Sequence, residues 1–134
     1  MNHIEQLKSD EGLRLRPYRC TAGKMTIGYG RNLDDRGISP YEAEMMFNAD
    51  VSECTTDLRG LFYNFDSFSY DRKGALLNMR FQLGHDGIRE FKNMIQAIKD
   101  NDWIKAAEEA KDSLWYNQVP NRAARIVKLL KQGE

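Results

Sequence analysis

Apolar side chains recur along the chain at two different spacings, and this change predicts the order of helices and strands. Ile4 and Leu7 keep helical spacing with Glu11, so a first helix is predicted that ends at Gly12. From there to Gly37, aromatic and β-branched residues alternate with glycines. This texture is typical of short strands joined by turns, and it predicts a small β-hairpin or a three-stranded meander.

The rest of the chain is patterned for helices. Residues 39–42, Ser-Pro-Tyr-Glu, form a capping box with proline at the first helical position, and they predict a long helix from Ser39 to about Leu58. Further helices are predicted from about Asp66 to Gly84, around 90–99, around 103–110 and from Pro120 onward. The fold class is therefore α+β and mainly helical, and 134 residues are about one domain's worth.

Charge and length exclude several classes of protein. Twenty basic and twenty acidic residues cancel, which argues against nucleic acid as a partner bound through bulk charge. Only the last stretch, with Arg122, Arg125, Lys128 and Lys131, could face a negatively charged surface. No run approaches the roughly 20 apolar residues of a membrane span, so membrane insertion is not expected.

The first residues read as an amphipathic helix and not as a signal peptide, so we expect the protein to accumulate in the cytoplasm of the cell that makes it. Cys20 and Cys54 are too few for a disulfide framework, and reduced thiols are expected. His3 and His85 show no metal-ligand spacing with them, so no metal site is predicted.

Glu11 is the first candidate for chemistry. It lies at the C-terminal end of its predicted helix, where the helix dipole and apolar neighbours are expected to raise a carboxyl pKa, as a general acid requires. On position alone, a solvated glutamate at a helix end is the simpler interpretation. The residues that follow change this interpretation, because Cys20 comes after eight intervening residues and Thr26 after five more.

This spacing resembles the active-site pattern of the phage-type lysozymes, in which a glutamate ends the first helix, the middle position is Asp or Cys, and the threonine lies on the facing sheet. Other segments resemble the same family in the same order. They are Asp10–Tyr18, Thr26–Leu33, Phe47–Asn48 with Asp50–Val51, Asn78–Met79 with Phe81–Gln82, and Trp115–Arg122. The resemblance covers nearly the whole chain.

The resemblance implies a lysozyme-like α+β fold with a cleft between two lobes. Residues 13–38 would form a small β lobe, 39–59 a connecting helix, and 1–12 together with 60–134 a helical lobe, all within one domain spanning 1–134. It also implies that Arg31 and Asp50 form a charged pair between the small lobe and the connecting helix.

The implied activity is hydrolysis of the β-1,4 bond between N-acetylmuramic acid and N-acetylglucosamine in peptidoglycan. Glu11 would protonate the departing oxygen and Thr26 would help to hold a water molecule, with no cofactor. Cys20 is less certain in its role, because a thiol is mostly neutral where an aspartate is charged. It could activate water, bond covalently to the sugar, or only shape the site.

The resemblance also implies residues that contact the glycan. Arg122 matches an arginine that pairs with the catalytic glutamate, and the less favoured alternative is a solvated residue in the last helix's first turn. For Phe81, packing in the core is the alternative. The implied substrate-binding residues are Tyr18, Asn32, Leu33, Phe81, Gln82 and Arg122.

Relatives of this kind act as endolysins that lyse the host at the end of phage infection. A monomer is expected, with peptidoglycan strands as its partner and a separate holin-type pore for release to the wall. Two rivals remain. One is a wall-binding module that has lost catalysis, suggested by the missing aspartate at position 20, and the other is a cysteine peptidase using Cys20, which lacks a histidine in a recognisable signature.

Overall fold

The computed structural model describes residues 2–133 and confirms an α+β fold that is mainly helical. The strands are β1 Arg14–Arg19, β2 Met25–Gly28 and β3 Arg31–Asn32. The helices are α1 His3–Glu11, α2 Leu33–Arg36, α3 Pro40–Leu61, α4 Tyr70–Arg89, α5 Lys92–Lys99, α6 Trp103–Lys111, α7 Leu114–Gln118 and α8 Pro120–Gln132, with a 3₁₀ turn at Phe65–Ser67. None of the helices in this part of the chain is long and apolar enough to cross a membrane.

The strands form one antiparallel sheet in the order β1-β2-β3, which is the predicted meander. Tyr18 pairs with Thr26, and Thr26 pairs with Asn32 on the other side. The register between β1 and β2 shifts between Arg14 and Tyr18, so β1 is irregular where it follows the first helix. The pairing places three of the predicted site residues in one row across the sheet.

Helix α1 is capped at both ends by its own sequence. The Asn2 side chain accepts from Glu5 N, the Glu5 side chain accepts from Asn2 N, and Gly12 N–H donates to the Lys8 carbonyl. The helix buries none of its residues, so Ile4 and Leu7 do not build a core. Its length and its end at Glu11 are nevertheless those predicted.

Two compact units divide the chain, and the boundary falls between Met46 and Phe47, inside α3. The start of α3 is the predicted capping box, in which Ser39 N lies 2.9 Å from Glu42 Oε1 and Glu42 N lies 3.1 Å from Ser39 Oγ. Helix α1 falls in the first unit. The expected lobe boundaries, including the assignment of residues 1–12 to the helical lobe, stay a prediction.

The hydrophobic core belongs to the second unit and is built by α3 to α8. Trp103 and Trp115 are buried there, as large aromatic residues on helices usually are. Neither side chain has the exposure that a catalytic role would need. The largest fully buried side chains are Leu58, Phe62, Leu76, Met79, Ile88, Met94, Ile126 and Leu130. Ala123, Ile126 and Leu130 therefore place one face of α8 in this core.

Helix α4 is broken at Gly84, the residue at which the sequence pattern predicted its end. Gly84 has φ 81° and ψ 175°, a conformation that is nearly restricted to glycine. Helical structure resumes after it and continues to Arg89. The break thus separates the face of Leu76 and Met79 from the last turns of the element.

Candidate active site

The sheet brings together Tyr18, Thr26 and Asn32, because directly paired residues on neighbouring strands point to the same face. Thr26 is at the centre of this row and is only 4% exposed. Its hydroxyl donates to the Lys24 carbonyl over 2.9 Å. The Thr26 oxygen also has lone pairs that can accept a hydrogen bond, as a residue orienting a water molecule needs.

Cys20 lies in the turn after β1 and next to Thr26. The turn is closed by Cys20 N donating to the Lys24 carbonyl over 2.9 Å and by Gly23 N donating to the Cys20 carbonyl over 2.8 Å. Hydrogen bonds from the backbone N–H groups of Lys24 and Ala22 lower the pKa of the Cys20 thiol, burial opposes them, and a hydrogen bond with Thr26 lowers the pKa further. This thiol ionises more readily than an ordinary cysteine.

Glu11 is the last residue of α1, as predicted, and its carboxyl group lies against Gly30 in the turn between β2 and β3. A Cβ atom at Gly30 would overlap Glu11 Oε2 and would lie 3.1 Å from the carboxyl carbon. A second contact joins the same elements, because Lys8 Nζ lies 5.4 Å from the centroid of the Tyr29 ring. The acid is therefore carried on a helix that contacts the turn between β2 and β3.

The side chain of Asn32 has a structural role in addition to its place in the row. It accepts from Asp35 N over 3.0 Å, which caps the short helix α2, and its amide group donates to Asp35 Oδ2 over 2.9 Å. Leu33 is the first residue of α2 and is half-buried. Contact of Asn32 and Leu33 with substrate stays a prediction.

The carboxylate that Arg31 binds is Glu42, and this corrects the predicted pairing with Asp50. Arg31 Nη1 lies 2.8 Å from Glu42 Oε1 and Nη2 lies 2.5 Å from Oε2, a bidentate arrangement. Hydrogen bonding to Arg31, assisted by Ser39, lowers the pKa of Glu42 to about 2. The sequence pattern places Glu42 only in the capping box of α3. In the structure Glu42 both caps α3 and binds Arg31.

In the second unit, Phe81 and Arg122 line one groove of about 270 Å³. Phe81 is 41% exposed, and its ring centroid lies 5.6 Å from that of Phe47. Phe81 is therefore not a core residue, and the alternative that it packs in the core is wrong. Arg122 lies in the first turn of α8, and its Nε donates to Asn78 Oδ1 over 2.7 Å. Its pairing with Glu11 stays a prediction.

Gln82 follows Phe81 on α4 but has a different partner. Its Oε1 accepts from Trp115 Nε1 over 3.0 Å, which fastens α7 to α4. This bond orients the side chain of Gln82 and satisfies the only polar group of a buried indole.

Three residues that contact the predicted site residues were missed from the sequence. Gly30, Phe47 and Asn78 lie inside the segments that suggested the family, but none was chosen, because a glycine and two ordinary helix residues carry no chemistry of their own. Within residues 2–133 no three His, Cys, Asp or Glu side chains gather to hold a metal ion. The candidate groups named from the sequence are the carboxyl group of Glu11, the thiol of Cys20 and the hydroxyl group of Thr26.

A carboxyl group at the end of a helix, a hydroxyl group on a small sheet and a thiol in the turn between its first two strands are typical of a lysozyme-like α+β protein. The family profile described as "Phage lysozyme" matches residues 8–130. The chain therefore belongs to the phage lysozyme family, and the resemblance found in the sequence is confirmed.

Individual relatives agree with this assignment. "Probable T4-type lysozyme 1" and "Probable T4-type lysozyme 2" of Dictyostelium discoideum are 30% and 32% identical to the chain, and each alignment covers 96% of the chain and 93% of the relative. The "Pre-baseplate central spike protein Gp5" of Enterobacteria phage T4 is 30% identical over 99% of the chain but only 28% of its own length.

Proposed function

We propose that this protein cleaves the β-1,4 bond between N-acetylmuramic acid and N-acetylglucosamine in bacterial peptidoglycan, with Glu11 as the proton donor. Its family makes it a lysozyme-like peptidoglycan hydrolase, an enzyme of the glycoside hydrolase type. The observation that carries the finer proposal is that one compact unit holds Glu11 on α1, Thr26 on β2 and, next to Thr26, Cys20 in the turn after β1.

Glu11 protonates the glycosidic oxygen as the bond to the anomeric carbon breaks. Its side chain is exposed and can reach a glycan from solvent. Cleavage of this bond has an oxocarbenium-like transition state, which needs a second group on the other side of the sugar ring.

Cys20 and Thr26 supply that second group. The lowered pKa of the Cys20 thiol supports a role that needs the thiolate, either as base toward a water molecule or as nucleophile toward the anomeric carbon. In the first case the product is inverted. In the second, the sulfur displaces the protonated leaving oxygen, water later displaces the sulfur, and configuration is retained. Thr26 holds the water in either route.

Further contacts hold the glycan. Tyr18, Asn32 and Leu33 in the first unit and Phe81, Gln82 and Arg122 in the second are the residues we propose for this role. The exposed Phe81 ring and the adjacent Arg122 guanidinium suit the apolar face and the polar rim of a sugar. We further propose that the protein acts as a monomeric endolysin that reaches the wall through a separate pore-forming protein and lyses the host.

The proposal is tested by comparing Glu11→Gln with Asp10→Asn, its neighbour on the same helix, on outer-membrane-stripped bacteria. Reducing-sugar release measures bond cleavage. Loss of general acid catalysis should slow Glu11→Gln by at least about 100-fold, whereas Asp10→Asn should cleave normally. Near-normal cleavage by Glu11→Gln would sink the mechanism.

The role of the second group is tested with Cys20→Ser, Cys20→Asp and Thr26→Ala, using product anomer and intact mass. A glycosyl adduct on Cys20 together with retained configuration would establish the nucleophile. Inversion, with activity kept in Cys20→Asp, would establish activated water. If all three variants were as active as the unchanged protein, Cys20 and Thr26 would have no part in the mechanism.

A catalytically weakened wall-binding module is the second candidate, because a thiol occupies the position where an aspartate would be fully charged. This candidate predicts that purified protein sediments with peptidoglycan but releases no reducing sugar. Cleavage by the unmodified protein would dismiss it.

A further inference from the structure

We infer that Gly30 is a positioning residue for Glu11, and that the missing side chain at position 30 leaves the room in which the Glu11 carboxyl group is held for proton donation. The inference rests on the proposed function of Glu11 as the acid. The physical contact on which it is built lies wholly inside the first unit.

The contact involves most of the Glu11 side chain. A Cβ atom built on Gly30 would overlap Glu11 Oε2, would lie 3.1 Å from its carboxyl carbon and would lie 3.7 Å from its Cβ. The side chain thus runs along the α-carbon of Gly30, and its carboxylate occupies the place that a methyl group would take. Any larger residue at position 30 must move the carboxylate.

Van der Waals contact with Gly30 is what restrains the Glu11 carboxylate where it meets the β2–β3 turn. Among the described residues of the first unit, Glu11 has no hydrogen-bond or ion-pair partner. The attachment of α1 to the same turn comes from Lys8, three residues earlier on the helix, which lies over the ring of Tyr29. Tyr29 and Gly30 are adjacent, so the turn contacts the helix at two successive positions.

Backbone conformation alone does not account for Gly30. Its φ is +77°, which disfavours other residues, but Gly28 nearby has φ +70° and needs glycine for the same reason. A Cβ at Gly28 would meet nothing within 4 Å. The two glycines share their backbone requirement and differ in the contact with Glu11, which makes Gly28 a matched control.

The first experiment compares Gly30→Ala with Gly28→Ala in steady-state cleavage of soluble peptidoglycan fragments. Misplacing a reacting group by about 1 Å can cost about 100-fold in rate, so kcat should fall on that scale in Gly30→Ala while KM changes little. Gly28→Ala should keep a kcat near that of the unchanged protein. Equal losses of kcat in the two variants would overturn the inference.

The second experiment does not depend on activity. Thermal unfolding is measured for Gly30→Ala and Gly28→Ala, each alone and combined with Glu11→Ala, which removes the overlapping carboxylate. The loss in Tm caused by Gly30→Ala should shrink in the Glu11→Ala background to that of Gly28→Ala, and Gly28→Ala should show no such coupling. Absence of coupling at position 30 would refute the contact.

These arms also separate the inference from the proposed function. If Glu11→Gln is active and positions 11 and 30 are coupled in thermal unfolding, the contact is real but Glu11 is not the acid. Gly30 then has no role in positioning a proton donor. If Gly30→Ala fails to fold, folding of the Glu11→Ala/Gly30→Ala protein supports the contact. If neither Gly30→Ala nor Glu11→Ala/Gly30→Ala folds, while Glu11→Ala/Gly28→Ala does, the requirement for glycine at position 30 comes from backbone strain, and the inference is overturned.

Discussion

Asp57 on α3 and Arg80 on α4 form an ion pair in which Asp57 Oδ2 lies 2.5 Å from Arg80 Nε. The two side chains are 14% and 9% exposed. The same carboxylate also binds Arg89, whose Nη2 lies 2.6 Å from Oδ1 and whose Nη1 lies 3.0 Å from Oδ2. One aspartate therefore pairs with two arginines at the edge of the second unit's core.

Asp57→Asn should lower the free energy of unfolding by about 3 kcal/mol, because it leaves the buried guanidinium group of Arg80 without its carboxylate partner. Urea denaturation at pH 7 measures the loss. Asp66→Asn is the matched control, since Asp66 pairs with Arg59 in an exposed bridge that contributes at most about 1 kcal/mol. Equal losses in the two variants would contradict this account of the Asp57 cluster.

The same cluster makes stability depend on pH in a definite direction. Hydrogen bonding to Arg89, and then to Arg80, lowers the pKa of Asp57 to about 2 against the opposing effect of burial. An unfolded chain has an ordinary aspartate pKa near 3.9, so it binds more protons than the folded state in the interval between. The contribution of Asp57 is complete above about pH 5 and is lost as the pH falls toward 2.

Urea midpoints measured from pH 6 to pH 2.5 would show this loss. Midpoints of the unchanged protein should be level down to about pH 5 and then decline, and those of Asp57→Asn should decline less steeply. Parallel curves for the two proteins would mean that Asp57 does not titrate as the ion pairs require.

The two cysteines should differ in reactivity. Backbone hydrogen bonds lower the pKa of Cys20, whereas burial raises that of Cys54, which is 4% exposed. Because the thiolate is the reactive form, iodoacetamide at pH 7 should alkylate Cys20 at least about tenfold faster than Cys54. The rates can be measured by mass spectrometry on the single-cysteine variants Cys54→Ala and Cys20→Ala. Equal rates would contradict the assigned surroundings of the two thiols.

Most elements of the fold were predictable because they are marked locally, but the short helices α2 and α7 were not predicted. Capping residues at Ser39 and Pro120 and the glycines at 12 and 84 mark where helices begin, end or break, and these boundaries agree with the structure to within a few residues. A period of 3.6 or 2 is a property of neighbouring residues, so it can be read without knowledge of the tertiary structure.

Pairings between distant residues were not predictable in the same way. The carboxylate bound by Arg31 is Glu42 and not Asp50, and both lie on the same helix at positions that suit an arginine from the sheet equally well by sequence. The Asp57 cluster joins residues 57, 80 and 89, which have no local relation. Sequence likewise identified Cys20 but not the backbone N–H groups that lower its pKa, since these depend on the shape of one turn.

Two glycines of α4 should respond in opposite directions to the same substitution. Gly84 has φ 81° and ψ 175°, so Gly84→Ala forces an L-residue into a nearly forbidden conformation and should destabilise by about 1 to 3 kcal/mol. Gly74 lies in the regular part of the helix, is exposed, and has open space around its Cβ position. Gly74→Ala should therefore stabilise by up to about 1 kcal/mol.

Urea denaturation of the two variants tests whether α4 is broken at Gly84. Opposite shifts of the midpoint are expected, with unchanged m-values, because neither substitution alters the surface exposed on unfolding. If Gly84→Ala instead stabilised the protein as Gly74→Ala does, residue 84 would have ordinary helical geometry in solution. The helix would then run straight through that position, and the face presented by Phe81 and Gln82 would belong to a longer rigid element than the one described.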